Sequence, residues 1–136
     1  MTEPVTPGVA GTLTRTVTRE VTTQRGDLHI YSTPNVVLLL EEAAIEALRP
    51  HLDAHQDSVG SRVELAHTAP TLEGQTVTAV VTVTEVDRRR VSFDVVVRDD
   101  AEEIARGTHE RFVIDLDKFT GRLEDKHDRV TAGAAR

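Results

Sequence analysis

The sequence predicts an α+β fold in which one antiparallel sheet wraps a single long helix. Three observations predict it. A run from Asn35 to Leu48 carries apolar residues without a helix breaker until Pro50. Residues 62–116 fall into four alternating segments separated by short polar turns. The apolar positions of the helical run (36–40, 43–45, 47 and 48) cover most of its circumference. Strands joined by tight turns are antiparallel. A helix apolar on nearly every side must be enclosed, and the only other regular structure available to enclose it is that sheet.

Each element follows in order. Residues 1–10 hold two prolines and a glycine and read as a disordered lead-in. Residues 12–23, TLTRTVTREVTT, alternate threonine with valine, leucine or arginine and predict a first strand. Residues 24–32 have no period and include Gly26 and Asp27, so a loop or lid is expected there. Thr33 is placed as the helix N-cap and Pro34 at the first helical position, where its missing N–H costs nothing. The helix should run about fifteen residues, or about 22 Å, and be buried on nearly all sides. Residues 53–58 read as a polar loop. Four strands follow, at 62–68, 76–86, 91–97 and 104–116, with turns at 70–74, 87–90 and 99–103. The predicted organisation is one domain over residues 11–123, with a frayed tail at 124–136. A sheet around one helix leaves an edge to cover, which predicts a homodimer.

Composition narrows the function. The 136 residues carry 16 lysines and arginines against 23 aspartates and glutamates, a net charge of −7, with one tyrosine and three phenylalanines. Nucleic-acid binding needs basic patches and stacking aromatics, so that class is excluded. The absence of cysteine excludes disulfides and thiolate metal sites. No apolar run approaches the length of a membrane span. The N-terminus MTEPVTPGVAG lacks a basic stretch followed by an apolar core, so a cytoplasmic location is expected.

Several residues have both a structural and a chemical reading. Glu41 and Glu42 interrupt the apolar helix. Either both lie on a solvent strip, or one carboxylate reaches the core and must be paired there. His67 sits on the apolar face of its strand with Val63 and Leu65. It is a satisfied core histidine or a general acid–base. Thr33 is a helix cap, or a hydroxyl beside N–H groups that stabilise an anion. His51 and His55 stand four apart, but Pro50 and the lack of a third ligand argue against a metal. Arg88, Arg89 and Arg90 form a solvated turn or a phosphate contact. Gly-rich phosphate loops are absent.

The segments VELAHTAPTLEGQTVT and GTHERFVIDLDKF, with TPNVVLLLEEAAIEALRPHL before them, resemble the hotdog-fold thioesterases of the fluoroacetyl-CoA thioesterase type. The resemblance spans roughly residues 12–123. It implies the hotdog fold, in agreement with the pattern reading. It also implies a catalytic set of a threonine at the helix start, a glutamate eight residues on, and a histidine on the next strand. Thr33, Glu41 and His67 match that set, and Glu42 becomes a bystander. Gly60 matches the glycine whose N–H faces the thioester carbonyl, and Arg111 matches the arginine lining the substrate region. The fluoroacetyl-specific pattern carries phenylalanines in the lid, whereas this chain has RGDLHIYS there. A different small or medium acyl group is therefore expected. The implied activity is hydrolysis of an acyl-CoA or related thioester without metal or other cofactor, coenzyme A being part of the substrate. The alternative is a non-catalytic hotdog module that binds acyl-CoA or a small apolar ligand.

Overall fold

The computed structural model describes residues 3–134. Seven strands and two α-helices occur in chain order: β1 (Ala10–Thr16), β2 (Thr22–Arg25), β3 (Leu28–Tyr31), α1 (Thr33–Leu48), β4 (Gln56–His67), β5 (Thr76–Asp87), β6 (Arg90–Arg98), β7 (Glu103–Asp115) and α2 (Leu116–Ala134). Five strands form one antiparallel sheet in the order β1-β5-β6-β7-β4, and β2 pairs with β3 in a separate hairpin.

The sheet wraps α1, as the sequence predicts. Period-two alternation aims Val77, Ala79, Val81 and Val83 of β5 and Val91, Phe93, Val95 and Val97 of β6 at the helix, and all eight are buried. Val36, Leu39, Leu40, Ala43, Ala44, Ala47 and Leu48 of α1 meet them. The alanines let backbones approach. At Gly11 of β1 a Cβ would lie 2.6 Å from the Ala43 carbonyl oxygen and 2.7 Å from Ala47 Cβ. Only glycine allows β1 to cross α1 at that distance.

Several expectations are corrected. The first strand ends at Thr16, not Thr23, because its partner β5 begins at Thr76, directly opposite Thr16. Val17 leaves the sheet, is buried, and donates its N–H to the Gln75 carbonyl at 2.8 Å. The expected loop at 24–32 is largely the β2–β3 hairpin, whose two-residue connection places Gly26 at φ 58°, a conformation that favours glycine. The N-cap of α1 is Ser32, whose carbonyl accepts the Asn35 and Val36 N–H groups, so Thr33 is the first helical residue. Strand β4 starts at Gln56, six residues early, because its polar beginning pairs with the end of β7 rather than entering the core. Residues 116–134 form a helix instead of a strand end and frayed tail. It starts where Asp115 Oδ1 accepts the Lys118 N–H at 3.1 Å, and its side chains are mostly exposed. Of the expected lead-in, Gly8 and Val9 hydrogen-bond to Val83, while Met1 and Thr2 lie outside the described residues, as do Ala135 and Arg136 of the tail.

Helix α1 is not covered all round. Leu38 is 52% exposed, and Glu41, Glu42 and Ile45 are half-buried on the same side. Strand β4 is an edge of the sheet with one ladder unpaired. The open helix strip and this open edge are both left without cover by one chain.

Gly11→Ala should destabilise the fold by about 1–3 kcal/mol, since a methyl has no room against helix backbone. A shift of the urea midpoint measures it; an unshifted midpoint would show that β1 can retreat from α1 without cost.

Candidate active site

Two clusters gather the residues singled out in the sequence. The first joins the start of α1 to the end of β4. Thr33 Oγ1 and His67 Nδ1 lie 2.8 Å apart. Nε2 of His67 is buried and has no hydrogen-bond partner among the described residues. Either the threonine hydroxyl donates to Nδ1, leaving an N–H on Nε2, or Nδ1–H donates to the threonine and leaves Nε2 a bare base. Both arrangements leave Nε2 an acid–base atom without a partner among the described residues. Beside the pair lies a solvent-open cavity of about 290 Å³, bounded also by Arg25, Ile30, Tyr31, Ala69 and Pro70. The Tyr31 hydroxyl donates to the Asn35 carbonyl at 3.0 Å. Burial, helped by the charge of Glu42, pushes its pKa up to about 12.

The second cluster lies about two turns further along α1. Glu41 Oε2 accepts from Arg111 Nη1 at 3.4 Å. The Arg111 side chain is only 4% exposed and that of Glu41 35%. Arg111 Nε donates to Ser58 Oγ at 2.9 Å and Nη2 to the Ser58 carbonyl at 3.0 Å. Burial pulls the guanidinium pKa below its ordinary value, and the charge and hydrogen bond of Glu41 oppose that pull. A buried cation held by a carboxylate is a paired charge, which is what makes its burial tolerable. Gly60 faces Arg111 across the β4–β7 ladder, and Ser61 is the extra residue of a bulge directly after it. A Cβ on Gly60 would fall 2.7 Å from Glu41 Oε2 and 3.2 Å from Arg111 Nη1. The missing side chain therefore leaves the carboxylate open from the β4 side.

His109 supports this cluster. Its Nδ1 must donate to the Arg62 carbonyl, 2.8 Å away, because a carbonyl only accepts. Nε2 is then the acceptor, 3.3 Å from Arg111 Nη1. The ring stacks on Phe93 at 5.9 Å. Burial pushes the imidazole pKa below its ordinary value, and the Arg111 charge adds to that against the bond to Arg62. A second proton would sit on Nε2, facing a guanidinium.

Thr33 and His67 thus meet, and so do Glu41, Gly60 and Arg111. The two groups do not meet within one chain, because eight helical residues separate Thr33 from Glu41 by about 12 Å. Glu42 stands apart, 3.8 Å from Arg15 on the surface. His51 Nδ1–H donates to the Glu3 carbonyl at 2.9 Å. Among the described residues no group of three His, Asp or Glu side chains is arranged to hold a metal. Arg90 pairs with Glu85 and Asp87, and Arg88 takes a left-handed φ of 59° at the hairpin tip. The sequence reading passed over Ser58, His109 and Arg25. The alternation in GTHERFVI puts His109 on the face of Arg111 and was a legible signal; Ser58 and Arg25 had none.

A five-stranded antiparallel sheet wrapped around one long helix is the hotdog architecture of the thioesterase superfamily. A thioesterase superfamily member from Thermus thermophilus superposes with a TM-score of 0.87 at 25% identity, covering 95% of this chain and 98% of that one. The chain belongs to the fluoroacetyl-CoA-specific thioesterase family, whose model matches residues 13–117. The fluoroacetyl-CoA thioesterase of Streptantibioticus cattleyicolor is 38% identical over 97 residues, 71% of this chain and 70% of that protein. A solved structure of a fluoroacetyl-CoA thioesterase superposes with a TM-score of 0.84 at 31% identity over 91% of this chain and 98% of that one.

The lowered pKa of His109 sets a pH dependence. The unfolded state takes up a proton near pH 6.5 that the folded state resists, so the stability it contributes is full above about pH 6.5 and is lost as pH falls below it. Denaturant midpoints measured from pH 8 to pH 5 should show that decline, and His109→Gln should flatten it. An unchanged slope in the variant would assign the titration to another group.

Proposed function

We propose that this protein hydrolyses a small or medium acyl-CoA, or a related thioester, to the free acid and thiol. The observation that carries the reading is the 2.8 Å Thr33–His67 contact, with its unpartnered Nε2, beside an open cavity. In the proposed reaction the Gly60 N–H holds the thioester oxygen as it gains charge. Glu41, fixed by Arg111, takes a proton from water as the water oxygen bonds to the carbonyl carbon. The C–S bond then breaks as His67, oriented by Thr33, gives its own proton to the departing thiolate, and the proton held by Glu41 passes through solvent to restore His67. Each donor aimed at developing charge contributes about a hundredfold or more in rate. The chemistry requires no metal or redox cofactor, and coenzyme A enters as part of the substrate. A cytoplasmic setting accompanies this reading.

The separation of the two clusters supports a homodimer that completes the site. Antiparallel pairing of two β4 edges about an axis between Val63 and Glu64 would set Gly60 opposite His67 of the partner subunit. That pairing would satisfy the open β4 ladder and bring the partner close to the exposed strip around Leu38. Glu41 and Gly60 of one chain would then act with the threonine–histidine pair of the other.

Free-thiol release from a panel of acyl-CoAs is expected for the wild type and should fall about a hundredfold or more in Glu41→Gln and in His67→Ala. Saturable acyl-CoA binding without thiol release would make the protein a binding module instead. Mixing the two inactive variants by co-refolding should restore about a quarter of wild-type activity, because half of randomly paired dimers are mixed and each has one intact site. No recovery from mixed dimers would place the whole set within one chain.

A further inference from the structure

We propose that the cavity beside Thr33 and His67 takes acyl groups that end in a carboxylate, and that Arg25 is the residue that reads it. The inference rests on the thioesterase reading and names its substrate class.

Three features of the cavity converge. First, its charge is at odds with that of the protein. The chain carries a net charge of −7, yet no aspartate or glutamate lines this cavity, and its one guanidinium is Arg25. Second, that cation is uncommitted. Arg111 is held by Glu41, Arg90 by Glu85 and Asp87, and Arg15 by Glu42. Arg25 forms no ion pair among the described residues; Nη1 donates to the carbonyl of its neighbour Gln24 at 2.8 Å, which leaves the rest of the fork free. A guanidinium fork fits a carboxylate with two parallel hydrogen bonds. Third, its position is fixed by the backbone. Arg25 closes β2 directly before Gly26, opposite Leu28, so the tight hairpin turn places its backbone at the rim of the cavity. Helix α1 begins at the same cavity, and its N-terminal end adds a favourable potential for an anion.

The geometry favours the acyl end of the substrate over its coenzyme. Arg25 and the Thr33–His67 pair border one cavity of about 290 Å³. A thioester carbon beside His67 leaves a short carboxylated acyl chain within that volume. The phosphates of coenzyme A sit at the far end of the pantetheine arm, outside it. Ile30, Ala69 and Pro70 supply the apolar walls for the intervening methylenes.

The test is the ratio of kcat/KM for succinyl-CoA to that for butyryl-CoA, corrected for spontaneous release, in wild type, Arg25→Gln and Arg25→Lys. The same ratio is then measured with the N-acetylcysteamine thioesters, which carry no phosphate. Wild type should favour the succinyl thioester by about tenfold or more in both series, the size expected of one charge-assisted contact. Arg25→Gln should bring the ratio close to one, and Arg25→Lys should keep part of it. A wild-type ratio near one, with butyryl thioester still hydrolysed, would overturn the proposal and leave the thioesterase reading standing. An Arg25→Gln effect that is equal for both acyl groups and confined to the CoA series would overturn it too, by assigning Arg25 to a phosphate. Release from none of the thioesters would remove the thioesterase reading, and this proposal with it.

Discussion

The contact between α1 and the concave face of the sheet governs the rest of the molecule. Leu40, Leu48 and Val36 are fully buried against β5 and β6, and the row of small residues at Ala43, Ala44, Ala47 and Gly11 brings β1 across the helix at backbone distance. Burial of this kind contributes about 25 cal/mol for each Å² of apolar surface and has no direction of its own. Direction comes from the close approach, which fixes the rotation of α1 about its axis. That rotation decides which helix positions face β4. Thr33 and Glu41 therefore meet β4 at two heights, against His67 and Gly60.

Each height has its own electrostatic logic. At Thr33 the site is polar, solvent-facing and at the start of a helix, where unpaired N–H groups favour negative charge. At Glu41 the site is drier. There a buried guanidinium, fixed by Ser58 through two hydrogen bonds and flanked by the neutral ring of His109, holds the carboxylate in place. Proton transfer and leaving-group chemistry suit the first environment. A carboxylate whose position must not drift suits the second. The chain keeps them about 12 Å apart, two turns of one helix.

The surfaces left open have the same origin. A sheet of five strands curls around one side of α1 and leaves the strip around Leu38 bare, and β4, which carries both Gly60 and His67, is one of its two edge strands. The residues of both clusters on β4 and the bare strip of α1 thus lie toward the same edge. Helix α2 extends from that end of the sheet, starting at Leu116, whose N–H bonds the His55 carbonyl at 2.9 Å; all but its first two residues lie beyond the residues matched by the family model.

The sequence by itself determined the architecture: a long apolar helix and hairpin-joined alternating strands have one economical solution, and each pattern depends only on local periodicity and burial. It also determined the type and spacing of Thr33, Glu41 and His67, and the motif GTHERFVI placed His109 and Arg111 on one strand face. Local pattern misjudged the ends of elements where pairing partners decide them. Strand β1 stops at Thr16 because β5 supplies no residue beyond Thr76, and β4 begins in polar residues because β7 is there to pair them. It expected a frayed tail at 124–136, where the helix that begins after Asp115 continues to Ala134. Only the tertiary structure decided that Thr33 faces His67 while Glu41 faces Gly60 and Arg111, that Ser58 holds the buried guanidinium, and that Arg25 borders the cavity. Those relations join residues up to 70 positions apart, set by sheet register and helix rotation, and neither quantity is written in any local stretch of the chain.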